Sequence, residues 1–251
     1  MINHLERLIE ATTVEDVWQL HCEKMADYGF DRLLYGFTRF RTATGLGARE
    51  DFLIMTNHSG DYAEKFMSDG MYLHAPMVKW ALANNGACSW SWWTDHVDSM
   101  TKSERQVVEF NRKHGVTAGY SISFRDASIR SKGAIALTAQ KGMSQDEVEE
   151  IWKHHGRDII VMNNVAHLKL INLPYSSPAR QLTKRQCEAL EWVRDGKTTQ
   201  EAAEIMGLTP ATVEKHLRLA REALDVETTA QAVLKATFQN QIFVFEPQPN
   251  T

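Results

Sequence analysis

The stretch that most constrains this chain runs from Thr209 to Arg221, TPATVEKHLRLAR. Thr209 suits a helix N-cap, where its hydroxyl accepts from an orphan backbone N–H, and Pro210 suits the first helical position, where no N–H is needed. Val213, Leu217, Ala220 and Leu224 recur at helical spacing as one apolar stripe. Ala211, Glu214, Lys215 and Arg218 fall on the other face, with Arg221 near its edge. Just upstream, Thr198–Thr199–Gln200–Glu201 reads as a capping box that starts a short helix ending at Met206. Gly207 follows, where the chain has to turn sharply. Two short helices joined by a glycine turn, the second basic outside, form the helix-turn-helix pattern.

The flanks extend it. Thr183 and Gln186 stand in capping-box register at the start of an earlier helix edged by Cys187, Leu190 and Val193. Thr229 to Asn240 predicts a fourth helix with Ala232, Val233 and Ala236 inside. This quarter of the chain resembles the LuxR-type DNA-binding domain, through LTKRQCEALEWVRDGKT, EAAEIMGLT, TVEKHLRLAREAL and AQAVLKA. The resemblance implies an all-α, four-helix domain over 181–245. It also implies a homodimer on a two-fold symmetric operator in double-stranded DNA. The residues expected at DNA are Thr198, Thr199, Thr209, Thr212, Lys215, Arg218 and Arg221. Glu214 shares that face, and a carboxylate repels phosphate unless it meets a base edge, so modest DNA affinity is expected. The plain alternative is a four-helix packing module whose charged face is merely solvated.

A length of 251 residues suits two domains, each with its own core. Hydrophobic residues make up 43% and charged residues 24%, as in a globular protein. The net charge of −4 gives DNA no bulk attraction, so any attraction rests on the local cluster of Lys215, Arg218 and Arg221. Cys22, Cys88 and Cys187 have no metal-type spacing, and Cys22 and Cys187 lie in amphipathic helical patterns that predict buried thiols. A reducing cytoplasm is the expected location. The first residues lack the pattern of a signal peptide, and no apolar run approaches the ~18 residues of a membrane span.

Upstream of the helix-turn-helix, the pattern predicts an α+β domain over 1–172 and a linker over 173–180. Two helices come first, one lined by Leu5, Leu8 and Ile9, the other by Val14, Val17, Trp18, Cys22 and Met25. Strands are predicted at 33–40 and 52–56, helices at 61–67, from Pro76, and at 103–114, and strands at 118–124 and 133–139. A long helix runs from Ser144 to about Leu170, its apolar edge including Val148, Ile151, Ile159, Ile160, Met162, Val165 and Leu168. Strands joined by short turns predict an antiparallel sheet with helices on both faces, an α/β/α sandwich.

Residues 60–124 resemble the autoinducer-binding domain of the same LuxR-type regulators. An aromatic pair, Tyr62 and Phe66, precedes Pro76, Trp90 follows it by fourteen residues, and Gly115 and Gly119 match the glycines at the start of a strand. The resemblance implies a small-molecule signal, no other cofactor, and a ligand set of Tyr62, Phe66, Tyr72, His74, Ala75, Met77 and Trp90. An acyl-lactone needs apolar walls, one donor for its carbonyl and one buried acceptor for its amide N–H. Trp90 can donate, and Tyr35, Phe37 and Ile122 can add walls. The acceptor is the departure: the family's Asp is Ala75 here, leaving His74 or Tyr72 to replace it. Ordinary core packing is the competing reading of these aromatics. Trp92 and Trp93 are expected at the surface.

No zinc-type histidine spacing, phosphate loop or nucleophile elbow is present, so no catalytic or metal site is expected. The reading is a quorum-sensing type regulator. Two alternatives stay open: a sensor for another ligand or for none, and an interaction protein that has lost DNA affinity.

Overall fold

The computed structural model describes residues 1–42, 45–126, 128–175 and 178–242. Two compact units emerge, Met1–Gly47 with Leu53–Ile171, and Ala48–Phe52 with Asn172–Thr251. The linker read at 173–180 and the domain end read at 245 fall partly outside the described residues.

The first unit runs α1 (Ile2–Glu10), α2 (Val14–Ala26), β1 (Phe30–Thr38), β2 (Leu53–Thr56), α3 (Gly60–Ser68), α4 (Pro76–Ala83), β3 (Gly86–Ser89), α5 (Ser91–Asp95), α6 (Lys102–Lys113), β4 (Gly119–Ser123), β5 (Lys132–Ala139) and α7 (Gln145–Leu170). Its sheet is antiparallel with order β2-β1-β5-β4-β3. Helix starts follow local chemistry. Thr101 and Glu104 close a capping box on α6, and Ser144 and Glu147 do so on α7.

The register sorts residues onto two faces, because side chains alternate along a strand. Leu33, Tyr35 and Phe37 on β1 pair with Leu137, Ile135 and Gly133 on β5, and Tyr120 and Ile122 on β4 pair with Leu137 and Ile135. This face carries large, buried side chains, and Tyr35, Phe37 and Phe124 pack their rings against His167 of α7. Between them lie Leu34, Gly36, Ala134 and Ala136, joined by Ser121 and Ser123.

The helical layer differs from its predicted edges. Ile9 is 64% exposed and Leu168 is 56% exposed, whereas His4, His21 and Asn163 are buried. The polar residues are tolerated because they satisfy one another. Asn163 donates to Ile159 O, leaving its Oδ1 to accept from His21 Nε2 at 3.0 Å, and His21 Nδ1 faces His4 Nε2 at 3.5 Å. Cys22 and Cys187 are half-buried rather than buried. Burial still pushes their thiols up, to about 12 and about 11. The stretch Ser89–Trp93, to which the pattern assigned no element, splits into the end of β3 and the start of α5.

The second unit contains α8 (Lys184–Arg194), α9 (Thr199–Met206), α10 (Pro210–Leu224) and α11 (Thr229–Phe238). Thr183, Thr198 and Thr228 each close a capping box. Gly207 ends α9 at φ 66°, a left-handed conformation that glycine adopts without a side-chain clash. The core is Leu182, Ala189, Leu190, Ala202, Ala203, Val213, Leu217, Ala220, Leu224, Ala232, Ala236 and Ile242, with Cys187, Val193 and Val233 packed at its margin. The same unit includes Asp51, buried against Lys235 at 2.8 Å and Arg180 at 3.4 Å.

Candidate functional sites

On the second face of the sheet, side chains are small. Gly36, Ala134, Ala136, Ser121 and Cys88 stand there in register. Leu34, Gly36, Ala134 and Ala136 are half-buried although their strands are interior to the sheet, while their neighbours Leu33, Tyr35, Ile135 and Leu137 are almost fully buried. A methyl group built on Gly36 would meet nothing within 4 Å. Interiors are normally close-packed, so a central strand with open space on one side departs from an ordinary core.

Leu34 and Ala136 join the apolar cluster that covers this face. Its buried members are Tyr62, Phe66, Ala75, Trp90, Val107 and Val116. The sequence explains how each arrives. Tyr62 and Phe66 are one turn apart on α3, with rings 5.4 Å apart and nearly parallel. Ala75 precedes Pro76, the first residue of α4. Trp90 lies over Gly119, where an added Cβ would sit 3.1 Å from its ring and 2.2 Å from Leu137 O. Gly119 is thus required by close approach.

The cluster's polar atoms are few. Trp90 Nε1 donates to Ser121 Oγ at 3.0 Å, and the Tyr62 hydroxyl donates to Asn111 Oδ1 at 3.0 Å. Burial pushes the Tyr62 phenol up, so it stays neutral and able to donate. His58 stacks on Tyr62 with rings 4.5 Å apart, and its Nε2 lies 3.4 Å from Thr138 Oγ1. Burial, with the nearby Arg32 charge, lowers His58 to about 4, so it is neutral at pH 7.

The predicted ligand set therefore separates. Tyr62, Phe66, Ala75 and Trp90 share the cluster, with Tyr72 and Met77 half-buried against it. His74 is exposed at the end of the short turn Met71–His74. Tyr35, Phe37 and Ile122, predicted as walls, stand on the opposite face, against α7. A one-residue step along a strand reverses the face, and composition alone does not reveal the register. Trp93 packs against the cluster, and Trp92 is half-buried and stacked on His96, so neither is a bare surface aromatic. Sequence reading missed Met67, Met71, Val78, Phe110 and Ser121. The available signal was the alternation of small residues in GYSIS and KGAIALTA.

In the second unit, α10 buries Val213, Leu217, Ala220 and Leu224 and exposes Ala211, Glu214, Lys215 and Arg218. Thr209 caps it, accepting from Thr212 N at 3.2 Å, and the Thr209 and Thr212 hydroxyls lie 2.9 Å apart. Thr198 is exposed as the cap of α9 and Thr199 is half-buried beside it. The three cations differ. Arg218 donates to Glu222 at 2.5 Å, both largely exposed. Arg221 is mostly covered, donating to Thr229 of α11 at 2.8 Å and to Glu214 at 3.2 Å. Lys215 has no carboxylate partner among the described residues. Exposed pairs are worth ~0–1 kcal/mol, so Arg218 is readily released. Arg221 instead ties α10 to α11.

Comparison with known proteins matches residues 13–170 to the autoinducer binding domain, and residues 180–236 to the luxR family of bacterial regulatory proteins. This chain belongs to that family. Its members are transcription factors rather than enzymes, with a small-molecule sensor ahead of a helix-turn-helix. The transcriptional activator AnoR of Acinetobacter nosocomialis is 28% identical over 214 residues, 83% of this chain and 84% of that protein. LuxR of Aliivibrio fischeri is 22% identical over 196 residues, 77% of this chain and 76% of that protein. Escherichia coli SdiA shares the fold, with 18% identity, a TM-score of 0.51 and coverage of 96% of this chain and 97% of that one. SdiA has also been solved with octanoyl-rac-glycerol. Among the described residues, no helix is long and apolar enough to cross a membrane.

Proposed function

We propose that this chain is a cytoplasmic, ligand-responsive transcription regulator of quorum-sensing type. Its sensor takes a small, largely apolar signal, an acyl-homoserine lactone or a related molecule, between the small-residue face of the sheet and α3 to α6. The open space over Gly36 supports this reading most directly. An acyl chain needs such apolar walls, here Tyr62, Phe66, Met77 and Trp90.

A second reading replaces the lactone with a different ligand, and Ala75 favours it. A methyl cannot accept an amide N–H, and a buried, unpaired donor costs ~1–3 kcal/mol. SdiA, a fold neighbour, has been seen with a neutral acyl ester that carries no amide.

The regulator acts as a homodimer on two-fold related DNA, with half-sites about one helical turn, ~34–36 Å, apart. Lys215 and Arg218 of α10 make the main contacts. Lys215→Ala and Arg218→Ala each weaken binding to a footprinted operator. The loss is ~1–3 kcal/mol with relaxed sequence preference for a base contact, or a salt slope lower by about one for a phosphate contact. Binding by both variants indistinguishable from the parent would show that α10 is not the reading helix.

A further inference from the structure

We infer that the sensor selects a ligand with a hydroxyl-bearing head group over one with an amide-linked lactone, and that Ser121 and Thr138 are the groups that read it. The inference rests on the ligand-binding reading above and names the head-group chemistry within it.

Position 75, where the resemblance places a carboxylate, is buried in the cluster with Tyr62, Phe66 and Trp90, so the missing acceptor is missing from the site itself. His74 beside it is exposed, and Tyr72 is half-buried at the margin of the cluster rather than within it. The Tyr62 hydroxyl is already committed to Asn111.

On the small-residue face Thr56 donates to Leu33 O and Ser123 to Ala81 O and Asn84 O, which leaves the hydroxyls of Ser121 and Thr138. Ser121 Oγ is buried and accepts from Trp90, and its own hydrogen has no acceptor among the described residues. Thr138 Oγ1 is buried, and among the described residues its one hydrogen-bond neighbour is His58 Nε2 at 3.4 Å. Ser121 pairs with Ala136, and Thr138 pairs with Gly119, so the two are diagonal neighbours across β4 and β5. Diagonal neighbours lie roughly 7–8 Å apart at Cα. The Trp90 ring sits over Gly119, beside both.

Each of these hydroxyls can donate and accept. A ligand hydroxyl can likewise do both, so a diol head group satisfies Ser121 and Thr138 and is satisfied by them. At position 75 the methyl offers an amide N–H no acceptor.

The test uses two probes with the same eight-carbon acyl chain, 1-octanoyl-glycerol and N-octanoyl-homoserine lactone, titrated against the full chain by calorimetry. The parent binds the glycerol ester about tenfold tighter, the equivalent of one net hydrogen bond. Ser121→Ala and Thr138→Val each weaken the ester about five- to tenfold and leave the lactone within about twofold. Ala75→Asp reverses the order. Unliganded melting temperatures check folding, and Thr138→Val preserves shape if Ser121→Ala unfolds. Tighter lactone binding by the parent overturns the inference. Equal losses for both probes overturn it as well, because they make the hydroxyls mere packing. So does failure of the glycerol ester to bind, whereas binding of the ester alone supports it. Operator binding by the same preparations separates this from the regulator reading: operator binding with the preference reversed sinks the head-group inference alone, and the expected preference without operator binding sinks the regulator reading alone.

Discussion

The two faces of the sensor sheet are built from the same strands by opposite rules. On the face toward α7, Leu33, Tyr35, Ile135 and Leu137 are large and almost wholly buried. On the face toward α3 to α6, Leu34, Gly36, Ala134 and Ala136 alternate with them and remain partly accessible. Burial of a Leu or Phe contributes ~1.5–3 kcal/mol, so the first face holds the unit together. The second forgoes much of that burial. A sheet that packs one face tightly can leave the other unfilled and still fold, and the unfilled face is where a small molecule can enter.

Substitutions can break this comparison. The largest stability effect belongs to the packed face. Leu137→Ala removes a fully buried side chain and is expected to cost ~2–5 kcal/mol, read as a lower midpoint in urea. A loss below about 1 kcal/mol would mean the α7 face is no better packed than the other.

The helical layer on that same face carries a pH signature. Burial lowers His21 from 6.5 to about 4, against a favourable bond from Asn163. Between those values the unfolded chain binds the proton and the folded chain does not. Stability is therefore full above about pH 6.5 and falls as the pH drops toward 4, by up to about 3 kcal/mol for this residue. Urea midpoints measured from pH 7.5 to 4.5 test this, and His21→Asn should flatten the profile. A parent profile as flat as that of His21→Asn would show that the ring is not held neutral by burial.

The second unit was legible in the sequence because its signals are local. Thr183 with Gln186, Thr198 with Glu201, and Gly207 each act within a few residues, and the apolar stripe of α10 repeats within one helix. What escaped was the partnering of its charges: Arg221 is clasped by Thr229, eight residues on, and by Glu214. The first unit was legible as an antiparallel sandwich and in most of its elements, but β3 and α5 were not assigned. Its site was legible as Tyr62, Phe66 and Trp90, but not as a surface. Tyr35, Phe37 and Ile122 looked like walls because they are large and apolar. Strand register turns them to the other side, and it is set by pairing between separate segments, Tyr35 with Ile135 and Ile122 with the same Ile135. The same register turns Gly36, Ser121 and Ala136 toward the cluster, and small residues carry no hydrophobic signal of their own.

Gly36→Leu probes whether the small-residue face is open for a ligand. Gly36 has an ordinary backbone conformation and nothing within 4 Å of an added Cβ. Glycine inside a strand also forgoes side-chain packing. The unliganded variant is therefore expected to melt at or above the parent's temperature. A good ligand at ~100 times its dissociation constant adds ~2.7 kcal/mol to the parent, a shift of several degrees. With octanoyl-glycerol and octanoyl-homoserine lactone as probes, the variant should lose that shift, because leucine fills the ligand's volume. A variant destabilised by ~1–3 kcal/mol without ligand, as overpacking costs, and still shifted by the probes like the parent would contradict the account.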